Sequence, residues 1–189
     1  MPVFQQNRRM EFFCYHRDRP GSMALRTEMV EDHWAYMDRF DAAMIARGPT
    51  FADDETLTGS LHVVDLPGPD AARAFAFEEP GWQAGAYQDV LLRRWSNALG
   101  RTMWDHSADL HGRGFLVLGF TPQPIRRSDL QVPDGDLIAF GPLLSDDGAF
   151  MLGAAALLVA PDATTAGATL AALGLTGVEA HRWRFGGRP

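Results

Sequence analysis

Apolar and polar positions along the chain fall into two kinds of segment. MEFFCYH (10–16), TGSLHVVDLP (58–67), GFLVLGF (114–120) and LGAAALLVAP (152–161) are apolar or alternating over lengths that suit strands. DAARAFAF (70–77) and ATTAGATLAAL (163–173) are rich in helix formers and predict helices. The longest helical periodicity covers residues 24–47. At about 100° per residue, Leu25, Met29, Met37, Phe40 and Met44 share one face, with Glu28, Glu31, Asp32, Asp38 and Arg39 opposite. Ser22, following Pro20-Gly21, is placed to cap this helix.

The elements recur. GPTFADD (48–54) returns as GPLLSDD (141–147), 93 positions on, from 48 to 141. Each is followed by a strand, a helix and a segment carrying Arg-Trp: DVLLRRW (89–95) and VEAHRWRF (178–185). Asp53-Asp54 and Asp146-Asp147-Gly148 predict hairpin turns. Each half therefore reads βαββαβ, the ferredoxin-like arrangement, in an α+β fold. Such a sheet has one face covered by helices and one bare, and two copies can pack their bare faces sheet to sheet. The second half keeps only IRRSDLQVPDGDLIAF (125–140) where its first helix should be, broken by Pro133 and Asp134-Gly135, so most of that helix is missing. The halves are drawn at 1–97 and 114–189, with 98–113 as linker.

His33 falls inside the apolar arc of the long helix, in EDHWAYMDRF (31–40). One reading is a core histidine with satisfied nitrogens. The other is a general base, because imidazole titrates near neutral pH. Arg26 lies seven residues earlier, two turns away on the same face. An arginine beside a histidine in an apolar groove suits an anionic group, and its alternative is a first-turn arginine reaching to water. Met29 and Met37, with Trp34 or Tyr36, could line a cavity there.

Charge and composition narrow the chemistry. The formal net charge is −7 and no basic patch stands out, which argues against nucleic-acid partners. All basic residues are arginine, so Schiff-base catalysis by lysine is excluded. The single cysteine, Cys14, rules out an internal disulfide and reads as a buried structural thiol. No apolar run reaches the roughly 18 residues of a membrane helix, and the N-terminus lacks a signal-peptide apolar region, so a cytoplasmic protein without a membrane partner is expected. The stretch DHSADLH offers Asp105, His106, Asp109 and His111 at short spacing, but no second cluster completes a metal site, and no metal is expected. No Gly-x-Gly-x-x-Gly or nucleophile elbow appears, so no cofactor is expected. His62 and His181 read as structural or exposed, His16 as a strand-end residue that could reach a pocket mouth, and RFGGRP (184–189) as a frayed tail.

Residues 11–95 resemble the YCII-related family of small ferredoxin-like proteins. The likeness rests on the Arg-x6-His spacing of Arg26 and His33, on Gly48-Pro49, on Thr58-Gly59-Ser60, and on EEPGWQAGAYQDV (78–90). In that block Pro80, Ala84, Gly85, Tyr87 and Val90 fit the family pattern. Glu79 stands where the family has aspartate, and the aromatic is displaced by one position, to Trp82. The resemblance implies a dyad of His33 and Glu79, with Arg26, Met29, Met37, Trp82 and Tyr87 around the substrate. It also implies a dimeric α+β barrel, here formed within one chain as a pseudo-dimer, and a homodimer through the sheet edges stays open. The expected function is a small cofactor-independent enzyme. It would move a proton on a small aromatic or quinone-like acid by isomerisation, elimination such as dehydrohalogenation, or cyclisation. The alternatives are a non-catalytic ligand-binding or assembly protein, and a metal-dependent enzyme built on the linker cluster.

Overall fold

The computed structural model describes residues 10–106, 110, 113–127 and 130–188. Its strands are Met10–Asp18 (β1), Met44–Phe51 (β2), Leu57–Leu66 (β3), Tyr87–Trp95 (β4), Gly114–Arg126 (β5), Asp136–Leu144 (β6), Phe150–Val159 (β7) and Thr176–Trp183 (β8). Its helices are Met23–Glu28 (α1), Val30–Asp38 (α2), Pro69–Phe77 (α3), Pro80–Gln83 (α4) and Ala163–Ala171 (α5).

Side-chain alternation explains the layers. In β1, Phe13 and Tyr15 point one way and Phe12, Cys14 and His16 the other. Phe13 and Tyr15 join Leu61, Val63, Leu116, Leu118, Ile138 and Leu157 in one apolar cluster, the barrel interior. Phe12 and Cys14 join Tyr36, Met37, Val64 and Phe75 in a second, between the sheet and α2 and α3. The second half repeats the outer layer with Phe115, Val117 and Phe140 packed against Ala166 and Leu170 of α5. A buried Phe or Leu contributes roughly 1.5–3 kcal/mol, so the interior face is the main source of stability.

All ladders are antiparallel, and the sheet closes as β1-β3-β2-β8-β5-β7-β6-β4. Strands β1 to β4 have the order β2-β3-β1-β4, and β5 to β8 have β6-β7-β5-β8, the ferredoxin-like order in both sets. Two short seams close the barrel: Thr50 opposite Trp183 and Phe51 opposite Arg182, and Trp95 opposite Leu143 and Arg94 opposite Leu144. The Gly-Pro and Arg-Trp motifs meet at these seams. A Cβ on Gly48 would lie 1.9 Å from the Arg184 carbonyl oxygen and 2.5 Å from Trp183 Nε1. A Cβ on Gly141 would lie 2.0 Å from the Ser96 carbonyl oxygen and 2.7 Å from Trp95. Only glycine lets the backbones approach this closely.

The first helix differs from the expected 24–47. It is two helices, α1 and α2, and the chain has entered β2 by Met44. Met44 and Ile45 are consecutive and both buried, one in the outer layer and one in the interior. A residue pair buried on opposite faces is a strand signature, and pairing with β3 overrides the helical period. Ser22 occupies the cap position of α1, but its side chain makes no capping hydrogen bond. In the second half the described residues between β5 and β6 form no helix. The linker is more than solvated chain, because Met103 and Leu110 are buried in the interior cluster. No helix among the described residues is long and apolar enough to cross a membrane.

Candidate active site

The outer face of the first sheet carries a polar patch in an apolar layer. Cross-strand register puts His16 opposite Ser60 and Cys14 opposite His62. On the other side of β3, Arg47 is opposite His62 and Pro49 opposite Ser60. Cross-strand partners share a face, so these side chains form one platform. His16 is fully buried, with Nε2 2.8 Å from the Ala76 carbonyl oxygen. Cys14 is also fully buried, and burial pushes its thiol up, as a structural thiol requires.

Helix α2 lies over the platform and brings His33 down to it. Its Nδ1 is 2.8 Å from Oε1 of Glu79. Glu79 is buried and occupies the N-cap of α4, where Oε2 accepts the Trp82 backbone N–H at 2.7 Å. The proline after it suits the first position of a helix, so Glu79-Pro80 specifies the cap locally. Burial pushes the Glu79 carboxyl up. The hydrogen bond and charge of His33 and the amides of Gly81 and Trp82 outweigh it, leaving the group below its usual 4.5. It is therefore a carboxylate with both oxygens engaged.

The ring centroid of His62 is 5.5 Å from that of His33. His62 is 3% exposed and its Nδ1 has no hydrogen-bond partner. Burial, reinforced by the charges of His33, His16, Arg26 and Arg47, holds it well below 6.5, so it stays neutral. His33 and His62 share a cavity of about 40 Å³ with Trp34, Met37, Arg47 and Ser60.

The remaining sequence candidates divide. Met37 is buried and lines the cavity. Arg26 does not line it. Its Nη1 donates to Asp18 at 2.5 Å and its Nη2 to Ser60 Oγ at 2.8 Å, with the guanidinium 4.8 Å above the Tyr87 ring. Tyr87 is buried beneath Arg26 and 4.6 Å from the His16 ring, and Trp82 packs on Phe77 at 5.2 Å. Met29 sits at the junction of α1 and α2, and it, Trp82 and Tyr87 are not among the cavity's lining residues. Tyr36 turns away, donating to the Ala74 and Phe75 carbonyls.

Sequence reasoning missed Arg47, Ser60 and His62 as cavity residues, and it also missed the C-terminal segment. Gly186, Gly187 and Arg188 form part of the cavity wall, so RFGGRP is no frayed tail over its described part. The alternation of SLHVVD did place His62 and Ser60 on one face, but not which face. His181 lies 3.2 Å from Glu179, and His106 lies 2.8 Å from Asp136. Asp109 and His111 fall outside the described residues. Among the described residues no three His, Cys, Asp or Glu side chains are grouped to hold a metal ion.

Fold and site together define an α+β barrel whose first half pairs a half-buried histidine with a buried carboxylate beneath its helices. Residues 10–96 match the model of the YCII-related domain. Two solved structures are similar. One is the 5-chloro-2-hydroxyhydroquinone dehydrochlorinase TftG from Burkholderia phenoliruptrix AC1100, in complex with 2,5-dihydroxybenzoquinone. It is 29% identical over 49% of this chain and 99% of its own, with a TM-score of 0.45. The other is an anthrone oxidase-like protein, 13% identical over 94% of this chain and 91% of its own, with a TM-score of 0.49. No curated protein matches the chain.

Proposed function

We propose that this protein is a small enzyme in which His33 and Glu79 move a proton on a small acidic ring compound. The observation that carries this reading is the 2.8 Å contact between His33 Nδ1 and a fully buried carboxylate. Such a carboxylate fixes the tautomer and stabilises the imidazolium, leaving Nε2 to take or give the proton. Positioned acid–base catalysis of this kind contributes about 10²–10⁴-fold. Proton transfer alone needs no cofactor, and it suffices for isomerisation, cyclisation or elimination of hydrogen halide. The match of residues 10–96 to the YCII-related domain supports placing the site in the first half, and the ring compound proposed is quinone-like. The chain is taken as a fused two-half barrel, 1–97 and 114–189 joined by 98–113, with its single candidate site in the first half.

The test is a panel of hydroxylated and halogenated quinols, read by halide release and product mass. The expected result is turnover of at least one member, lost in His33→Ala while far-UV circular dichroism shows the fold retained at assay temperature. A second reading is a ligand-binding protein without chemistry, since a fold does not fix a function. Binding of panel members without product would establish it instead.

A further inference from the structure

The cavity at His33 is walled in part by chain from the far end of the sequence. Beyond β8, the segment Arg184–Arg188 runs on along β2. The Arg184 amide donates to the Pro49 carbonyl at 3.3 Å and the Gly186 amide to the Arg47 carbonyl at 3.2 Å. Arg47 Nε returns a hydrogen bond to the Gly186 carbonyl at 3.3 Å. Two glycines make this contact possible. A Cβ on Gly186 would sit 2.6 Å from Gly48 Cα, and Gly187, at φ +129°, would bring a Cβ 2.7 Å from the Arg47 guanidinium. The segment then reaches α2. Arg188 Nε donates to Asp38 and Nη1 to Glu31, both at 2.9 Å, with the guanidinium 5.5 Å from the Trp34 ring centroid. Gly186, Gly187 and Arg188 wall the cavity that His33 and His62 share.

The cavity of about 40 Å³ is the size of a single water molecule. A site that holds a benzene ring is on the order of 150 Å³. The floor is a β-sheet ladder and the roof includes the His33–Glu79 contact, so neither can retreat without dismantling the site. Of the other walls, the Gly186–Arg188 segment is held by the Gly186–Arg47 hydrogen bonds at its start and by two exposed ion pairs at its end, and exposed pairs are weak and screened by salt.

We propose that Gly186–Arg188, contributed by the second half, is a movable wall of the His33 site that must swing aside to admit a ring-sized ligand. Arg188 is the positioning residue that latches it to α2. This deepens the reading of His33 as the reactive group, and it gives the second half a direct part in the site.

The test uses diethyl pyrocarbonate, which acylates accessible imidazole, with peptide mapping at His33 and at His181 as control. The proteins are the full chain, a truncation after Phe185, Arg188→Glu and Arg188→Lys. The acylation rate at His33 scales with the open fraction, and it should rise at least about threefold in the truncation and in Arg188→Glu. It should rise likewise in the full chain at about 1 M salt, where the screening length is about 3 Å. Arg188→Lys should restore the slow rate, and His181 should be unchanged throughout. An unchanged His33 rate in the truncated protein overturns the proposal. So does equal acceleration at His33 and His181, which would mean general loosening. The reaction needs no turnover, so an inactive protein whose His33 becomes exposed would sink the proposed function and leave the wall standing.

Discussion

Nδ1 of His33 lies 2.8 Å from Oε1 of Glu79, 46 residues apart in the chain. Glu79 serves two partners at once, because its other oxygen caps α4 through the Trp82 amide. Capping and proton chemistry can therefore be separated by shortening the side chain.

Glu79→Asp keeps a good capping residue but withdraws the carboxylate by about one bond, ~1.5 Å. Stability should stay within about 1 kcal/mol of wild type while turnover falls at least tenfold. Glu79→Gln should lose the anion altogether and with it the activity. Urea melts beside steady-state kinetics on a quinol turned over by the wild type check both. Equal turnover by wild type and Glu79→Asp would show that the His33 contact has no catalytic part.

Arg26 is expected to behave as a structural residue. The Arg26 and Asp18 side chains are only 11% and 7% exposed, and burial already lifts the Asp18 carboxyl against the pull of Arg26. Arg26→Ala strands that carboxylate and should cost about 3 kcal/mol, with part recovered by adding Asp18→Asn. Denaturant melts of the single and double variants measure it. A higher KM with no loss of stability would instead return Arg26 to the ligand.

Stability should fall in two steps as pH drops. His62 and His16 are both held below 6.5 by burial, so the unfolded chain takes up their protons first. Stability is full above 6.5 and should decline below it by up to about 1.4 kcal/mol per pH unit for each group. Glu79 has a lowered folded value, so its contribution is present above 4.5 and is lost as pH falls through that lower value. Melts from pH 8 to pH 3 trace both steps, and His62→Asn should flatten the first.

Glycine substitutions should have opposite signs at two places. Gly48→Ala pushes a methyl to 1.9 Å from the Arg184 carbonyl at the β2–β8 seam and should cost about 3 kcal/mol or more. A Cβ on Gly167, inside α5, would meet only Val178 outside its own helix, at 3.5 Å. Gly167→Ala should stabilise by about 0.5–1 kcal/mol through helix propensity. Urea midpoints of the two variants, moving in opposite directions, are the measurement.

Much of the fold was legible from local pattern. Alternation in MEFFCYH and SLHVVD, helix formers after each strand, and the recurrence of Gly-Pro and Arg-Trp define two βαββαβ halves before any contact is known. These signals are local: side-chain period, turn chemistry and cap residues act within a few positions. The apolar positions of residues 24–47 misled for the same reason. Met44 obeys the helical period, yet a ladder with β3 claims its backbone, and no local signal weighs that pairing. His33 was visible in the sequence, and family likeness proposed Glu79 as its partner, whereas the cap that Glu79 forms on α4 came from the structure.

Tertiary structure alone decided the rest. It set which face of β3 carries His62 and Ser60, since alternation leaves the two faces equivalent until the barrel closes. It turned Arg26 toward Asp18 and Ser60, a choice made by the burial of Asp18, which a buried cation offsets. It also carried the C-terminal segment across a seam onto the site of the other half, 150 residues from Asp38. The sequence determines which residues can form strands, helices and caps, because those depend on near neighbours. Chain closure decides which distant groups share a cavity, because only the folded barrel puts β8 beside β2.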